Sequence, residues 1–274
     1  MQTKTLPGSS PAPRAGRRST FDLVTSEPHR LMFFCGALQG VIAFGWWFCD
    51  VASRYLGAHT PPAWSVPPMW AHAWLLLYGL FPFFIFGFLM TAGPNWLNAP
   101  RPSRSAYMPA AFAMAGGILL FYVGLLTTRG VAAIGLWLHL AGILWGLTAL
   151  VRLATRYWNP NARYAIVLFG FLTLGAAGSA LFAVGVTSSH FEFASQTLRA
   201  GVWFYLLPIF VGVSTRMVPF FSSRILGPSV DYRPGWARPA LMISVIVHGL
   251  LELNGVDRAL WIVDLPLAAV IAHL

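Results

Sequence analysis

Long apolar stretches decide what this chain can fold into. Eight of them alternate with polar connections, over residues 31–51, 72–93, 107–127, 131–151, 164–184, 198–220, 237–252 and 259–274. A helix of about 20 apolar residues spans a lipid bilayer, and the last two stretches are shorter than that. Only 9% of the residues are charged, against about 25% in a soluble domain. We therefore predict an all-α, polytopic transmembrane helix bundle with seven to eight spans.

The first 30 residues differ from the rest of the chain in composition. They are polar and rich in Pro, Gly, Ser and Arg, without an apolar period, which is typical of disorder. We predict a disordered basic cytoplasmic tail over residues 1–30 and a transmembrane helical domain over residues 31–274. The first apolar stretch is too long for the apolar core of a cleavable signal peptide. The last stretch stops without a basic flank, which is compatible with a truncated C-terminus.

The basic residues between the apolar stretches predict the orientation of the helices. Counted connection by connection, fourteen Lys and Arg residues lie on one side of the membrane and four on the other. Because basic connections favour the cytoplasm, we predict a cytoplasmic N-terminus. The formal net charge of +10 does not indicate a nucleic-acid partner, since the basic residues are scattered and form no continuous face. The predicted partner of the chain is the lipid bilayer.

Four histidines on four different segments are predicted to lie in the outer half of the bundle. His72 starts the second span, His139 lies inside the fourth, His190 follows the fifth, and His248 lies near the outer end of the seventh. Imidazole is a common ligand of haem iron and copper, and ligands in a bundle project inward from facing helices. Two other interpretations stay open. A histidine at a membrane interface needs no function, and a deeper one can form an interhelical hydrogen bond.

The sequence contains no motif of a soluble enzyme. It lacks a glycine-rich nucleotide loop, an HExxH zinc motif and a Cys-X-X-Cys-His haem attachment site. Any haem would therefore be bound non-covalently. Whether the chain is an enzyme stays open on these observations.

Two motifs resemble those of a known membrane protein family. His72-Ala73, an apolar stretch and Gly87-Phe-Leu-Met-Thr-Ala-Gly-Pro-Asn-Trp96 resemble a segment of the NnrS family. That segment reads His-Ala-His-Glu-Met, an apolar stretch and Gly-Phe-Leu-Leu-Thr-Ala-x-Pro-Asn-Trp. Arg216-Met-Val-Pro-Phe-Phe221 resembles the family's Gly-Arg-x-Ile-Pro-x-Phe. The resemblance covers residues 30–274.

The resemblance implies a function and a set of candidate residues. NnrS proteins are haem- and copper-containing membrane proteins linked to nitric oxide metabolism and nitrosative stress. We therefore expect an NnrS-like haem protein in the inner membrane of a bacterium, with copper as a second candidate metal. His72, His139, His190 and His248 are the candidate haem ligands, and His72 and His190 the candidate metal ligands. Arg216 is a candidate partner of a haem propionate, although an arginine there also fits the topology rule.

Two departures from the family pattern support other hypotheses. Trp74 and Leu75 stand where the family has its second histidine and its glutamate, and the family has more spans. The alternative is a cofactor-less accessory or scaffold subunit of a larger membrane complex, with other membrane subunits as partners. A small-solute transporter is a third hypothesis. It rests on helices broken at Pro82 and Pro208 and on Asp264 as its only acidic candidate.

Overall fold

Every regular element in the described part of the chain is helical. The computed structural model describes residues 19–56, 62–227 and 234–273. Its helices, in chain order, are α1 (Thr20–Val24), α2 (Pro28–Tyr55), α3 (Pro68–Leu97), α4 (Arg104–Leu126), α5 (Arg129–Arg156), α6 (Pro160–Ser188), α7 (Phe191–Leu226), α8 (Ala237–Leu253) and α9 (Trp261–His273), with a 3₁₀ turn at Asp257–Ala259. The all-α prediction is confirmed.

Six of these helices are long and apolar enough to cross a membrane, namely α2 to α7. Each coincides with one of the first six predicted spans, and their exposed apolar side chains contact the lipid bilayer. The seventh and eighth predicted spans form α8, with 17 residues, and α9, with 13. Both are shorter than the six, so the count of seven to eight spans stays a prediction. The cytoplasmic location of the N-terminus also stays a prediction.

The last part of the predicted tail is structured. Residues 1–18 lie outside the described residues, but Ser19 caps α1 by accepting a hydrogen bond from the Asp22 backbone N–H. α2 begins at Pro28, because proline at the first turn of a helix loses no hydrogen bond there. The Tyr107 hydroxyl donates to the Thr25 carbonyl at 2.7 Å. Residues 19–30 are thus packed on the bundle instead of belonging to a disordered tail.

Glycines bring α4 and α5 into backbone contact. A Cβ atom added to Gly135 would lie 2.5 Å from the Phe121 backbone nitrogen, and one added to Gly117 would lie 2.6 Å from the Gly135 carbonyl oxygen. Real Cβ atoms do not approach that closely, so larger residues would push the two helices apart. Close packing of this kind is how membrane helices associate without a hydrophobic driving force between them.

α3 and α7 each contain one π-helical turn. The turns are Leu75–Leu80 and Val202–Leu206, and each precedes a proline, Pro82 or Pro208. Proline offers no N–H to the carbonyl four residues earlier, and a local π turn is one way in which membrane helices adapt to it. Tyr78 and Tyr205 lie in these turns and stack with ring centroids 5.8 Å apart. The two irregular turns therefore meet inside the bundle.

Candidate functional site

The four predicted histidines lie toward the same end of the helices. Trp70, two residues before His72, contacts Phe191, the neighbour of His190, with ring centroids 5.2 Å apart. His139 contacts the Tyr78 carbonyl, eight residues from Trp70, or about 12 Å along a helix. His248 stacks on Trp203, which is two residues before Tyr205, the residue that stacks on Tyr78. Each imidazole nevertheless has its own set of neighbours.

His139 lies between two backbone carbonyl oxygens, one on each side of its ring. Its Nε2 lies 2.8 Å from the Tyr78 carbonyl oxygen and its Nδ1 lies 3.1 Å from that of Met114. Pro82 cannot donate to the Tyr78 carbonyl, and His139 on the neighbouring helix occupies that position instead. The side chain is completely buried. His139 therefore has the interhelical bonding role that the sequence left open, and neither ring nitrogen is open to a metal.

Trp74, at the position of the family's second histidine, fills the centre of the bundle. Its indole is completely buried and contacts the rings of Phe121, His139 and Phe182, with centroids 4.9, 5.2 and 6.1 Å away. Its Nε1 donates to the Ser179 hydroxyl at 3.3 Å. The volume next to His139 is thus occupied by an aromatic side chain with a satisfied polar atom.

His72 lies on another face of α3 and packs against α2. Its ring stacks on Trp47 with centroids 4.2 Å apart and an interplanar angle of 13°, and Phe44 meets it edge-on at 6.5 Å. The Nδ1 atom is buried and has no hydrogen-bond partner among the described residues. A buried polar atom without a partner costs about 1–3 kcal/mol, which points to a bound group or water at this nitrogen.

Further unpaired polar atoms lie near His72, between α2, α3 and α4. Trp46 Nε1 is buried without a partner among the described residues. The Gln39 side chain lies beside the Tyr122 hydroxyl, but neither Gln39 Oε1 nor that hydroxyl has a hydrogen bond of standard geometry. Gln39 Nε2 donates to the Leu75 carbonyl at 3.3 Å. We call Gln39, Trp46, Trp47, His72 and Tyr122 the His72 cluster.

A buried carboxylate lies on the same stretch of α2 as the His72 cluster. Asp50 Oδ1 accepts a hydrogen bond from Trp64 Nε1 at 2.7 Å, and Asp50 pairs with Arg54 at 2.6 Å. Trp64 in turn contacts Trp46, with centroids 5.2 Å apart. The α2 and α4 members of this region were not predicted from the sequence. A lone glutamine within the first apolar stretch was the signal that could have indicated them, because an amide in a membrane span needs a partner.

His190 and His248 have surroundings unlike that of His72. His190 is exposed at the start of α7 and forms no capping hydrogen bond through its side chain. His248 Nδ1 lies 2.6 Å from Asp264 Oδ1, and its ring stacks on Trp203 with centroids 3.9 Å apart. Trp203 Nε1 donates to Glu252 at 2.5 Å. His248 and Asp264 are therefore partners that join α8 to α9.

Arg216 lies at the opposite end of the bundle from His72. Its guanidinium lies 4.8 Å from the centroid of the Trp96 ring and 5.5 Å from that of Tyr164. Trp96 and His72 are 24 positions apart in α3, or about 36 Å along a helix. Arg216 is thus too distant to contact a group that His72 holds. The Pro-Asn-Trp motif occupies the last turns of α3, which ends at Leu97 with the next residue in the left-handed conformation.

The side chains available as ligands limit what kind of metal or cofactor the protein can bind. Within residues 19–56, 62–227 and 234–273, no three His, Cys, Asp or Glu side chains are placed to hold a metal ion together. The His72 imidazole, with a buried unpaired nitrogen in a polar and aromatic surround, fits a group held by one protein ligand. The arrangement does not fit a pair of axial ligands made by His72 and His139.

Comparison with known proteins agrees with the motifs. The family model described as NnrS protein matches residues 23–274. No curated protein matches the chain, and no solved structure does. The matched region contains His72, the whole of α3 and Arg216, and it extends over nearly the whole chain. The chain belongs to the NnrS family.

Proposed function

We propose that this protein is an NnrS-like integral membrane haem protein that acts in the response to nitric oxide or in nitrosative stress. We place it in the inner membrane of a bacterium. Family membership and the six membrane-spanning helices support the setting. The observation that carries the cofactor proposal is the buried, unpaired Nδ1 of His72, the first histidine of the family motif.

In this proposal His72 is the single protein ligand of a non-covalently bound haem. Trp47 holds the imidazole in one orientation by stacking, and Phe44 shields its edge. Trp46 Nε1 and the Tyr122 hydroxyl provide hydrogen-bond donors near the ring. The iron would supply the ability to bind nitric oxide or to pass electrons. Copper on the same nitrogen is the second candidate.

The other predicted ligands take different places in this proposal. His139 contacts the π turn of α3 at the Tyr78 carbonyl, and His248 joins α8 to α9 through Asp264. His190 is exposed, so as a metal ligand it would act only at the surface of the bundle. His72 is therefore the only haem ligand in this proposal, so one substitution tests the proposal.

The test is an absorption spectrum of protein purified after expression with added haem, together with iron and copper analysis. We expect a Soret band in the wild-type protein and in His190→Ala, and its loss in His72→Ala. His190→Ala is the matched control because it also removes an imidazole from the same end of the bundle. A wild-type protein without a Soret band and without metal would overturn the proposal, as would an unchanged band in His72→Ala.

A cofactor-less accessory or scaffold subunit is the second candidate. Trp74 fills the place of the family's second histidine, and both nitrogens of His139 contact carbonyl oxygens. An interior packed in this way needs no cofactor. Co-purification of the wild-type protein with a stable membrane partner, and without haem or metal, would favour this candidate. The transporter hypothesis loses support from Asp264, because this carboxylate already pairs with His248.

A further inference from the structure

A crevice of about 550 Å³ opens on the side of the bundle, between α6, α7 and the end of α8. The exposed side chains of Leu174, Leu181 and Leu253 form its mouth. Because α6 and α7 are both long and apolar enough to cross the membrane, this mouth faces the acyl chains of the bilayer. The rings of Tyr78 and Tyr205 line the crevice and are each 1% exposed, so they form its floor. We call this space the tyrosine crevice.

Small residues keep the middle of the tyrosine crevice open. Ala177 and Gly178 line it from α6, and Ala200 and Gly201 line it from α7. A Cβ atom added to either glycine would collide with the Tyr78 hydroxyl. The two glycines therefore allow the Tyr78 ring to lie between α6 and α7 behind the crevice, and no large side chain fills the space in front of it.

Both floor rings belong to irregular turns. Tyr78 lies in the π turn Leu75–Leu80 and Tyr205 in the π turn Val202–Leu206. The two rings stack with an interplanar angle of 15°. π turns within α-helices are frequent at functional sites. The crevice thus reaches the one place where the irregular parts of α3 and α7 meet.

The two floor hydroxyls differ in their hydrogen bonds. The Tyr78 hydroxyl donates to the Thr197 carbonyl at 2.8 Å. The Tyr205 hydroxyl is buried and has no hydrogen-bond partner among the described residues. Leaving a buried polar group unpaired costs free energy. Because the Tyr205 ring also lines the crevice, an acceptor on a bound molecule can pair with this hydroxyl after a small rotation of the ring.

The lining of the tyrosine crevice is uncharged. No Asp, Glu, Lys, Arg or His is among the described residues that line it. An ionic head group would be left without a partner here, which is costly away from water. A plain acyl chain would leave the Tyr205 hydroxyl unpaired. The lining therefore favours a neutral, lipid-soluble molecule that has a hydrogen-bond acceptor.

We propose that the tyrosine crevice binds the ring of a membrane quinone. A quinone ring is flat, neutral and apolar, which suits a floor of aromatic side chains, and its carbonyl oxygen accepts a hydrogen bond from the Tyr205 hydroxyl. Its tail leaves through the mouth into the bilayer. The volume of about 550 Å³ lies within the usual range of ligand pockets, about 300–1,000 Å³. The proposal concerns binding alone and does not depend on a haem at the His72 cluster.

The test is native mass spectrometry of the full-length protein in detergent, titrated with decylubiquinone or decylbenzene. Both compounds carry the same tail on a flat ring, and only the first has ring carbonyls. We expect tighter binding of decylubiquinone, and roughly fivefold weaker binding in Tyr205→Phe, because one neutral hydrogen bond is lost. Tyr122→Phe is the matched control. It also removes a buried hydroxyl without a partner among the described residues, but Tyr122 does not line the crevice.

A second pair of variants tests the location. Ala177→Trp fills the crevice with a large side chain and should abolish binding of decylubiquinone. Val184→Trp is its control, because Val184 is also exposed on α6 but does not line the crevice. Neither substitution alters a buried residue, so the bundle should fold in both variants.

The outcomes decide the proposal. Equal affinity for the two compounds overturns it, since the carbonyl would then contribute nothing. Unchanged binding in Ala177→Trp also overturns it, as does a loss in Tyr122→Phe equal to that in Tyr205→Phe. Circular dichroism of each variant checks folding. The Soret band of the same samples reports on the His72 cluster, so quinone binding and haem binding can fail independently.

Discussion

The two faces of α3 near its first turns differ in how their polar atoms are satisfied. On the face toward α4, α5 and α6, Trp74 bonds to Ser179 and the Tyr78 carbonyl to His139. On the face toward α2, His72 Nδ1 and Trp46 Nε1 are buried without partners in the described part of the chain. The polar atoms of Trp74 and Tyr78 on the inner face are therefore paired, although the hydroxyl of the neighbouring Tyr205 has no partner among the described residues. The His72 cluster has several such buried, unpaired atoms.

This difference in polar satisfaction indicates which part of the bundle is compatible with a bound cofactor. A satisfied polar network in a low-dielectric interior is stabilising and specific, whereas a partly satisfied one is costly. Natural proteins retain such a cost mainly where function needs it. His72 and His139 are equivalent ligand candidates in the sequence. In the structure they differ, because His139 contacts two carbonyl oxygens whereas His72 Nδ1 has no partner among the described residues. Matched substitutions should then lower the free energy of unfolding more on the inner face than at the His72 cluster.

The largest effect is expected for His139→Leu. The substitution keeps the side-chain volume but leaves the Tyr78 carbonyl, to which Pro82 has no N–H to donate, without its imidazole partner in the interior. We expect the free energy of unfolding to fall by about 3 kcal/mol, since each buried unpaired group costs about 1–3 kcal/mol. Unfolding in detergent by denaturant titration measures it, with His190→Leu as the exposed control. Equal stability of the two variants would show that the His139 bonds do not hold α3.

An intermediate effect is expected for Trp74→Phe. This variant loses the Ser179 hydrogen bond and leaves a small cavity, so the free energy of unfolding should fall by about 2 kcal/mol. Trp46→Phe makes the same chemical change at the His72 cluster, where Nε1 has no partner among the described residues. It should cost less than half as much by thermal unfolding. A larger loss of unfolding free energy for Trp46→Phe than for Trp74→Phe would show that the Trp46 indole nitrogen is the better satisfied of the two.

The smallest effect is expected for Tyr122→Phe. Removing a buried hydroxyl without a good hydrogen bond relieves its desolvation, so the free energy of unfolding should change by less than about 0.5 kcal/mol, or rise. Tyr78→Phe is the matched variant on the satisfied face, because the Tyr78 hydroxyl donates to the Thr197 carbonyl at 2.8 Å. It should cost about 1–2 kcal/mol. Differential scanning fluorimetry of both variants in one detergent compares them, and a costly Tyr122→Phe would show that the Tyr122 hydroxyl is hydrogen-bonded in the native protein.

The positions of the helices could be predicted from the sequence, because the length of an apolar stretch reports on helix length directly. All eight predicted stretches coincide with helices. The helices that contain Pro82 and Pro208 are continuous instead of broken, with a π turn before each proline. The start of α2 at Pro28 could not be predicted from apolarity. It depends on the proline in the first turn of α2 and on contacts such as the hydrogen bond from Tyr107 to the Thr25 carbonyl, two residues that are distant in the chain.

The candidate site could be predicted only in part. Placement of four histidines toward one end of the helices follows from counting residues along the spans. The direction in which each imidazole points depends on helix rotation and neighbour order, which apolar length does not encode. His72 turns to Trp47, His139 to the Tyr78 carbonyl and His248 to Asp264. Arg216 could be assigned to an end of the bundle. Its neighbour Arg238, which lies over the same Tyr164 ring, comes from α8, a helix that the sequence does not place beside α7.

The π turn in α3 also determines where the family motif tolerates a change in length. A π turn holds one more residue than an α turn over the same arc, so removing one residue from Leu75–Leu80 would restore an α turn and leave His72 on the side of Trp47. Removing a residue from the α-helical part, between Phe83 and Gly93, would instead turn everything before it by about 100° about the helix axis. His72 would then leave Trp47, so the number of residues in that part of the motif is a structural requirement in its own right.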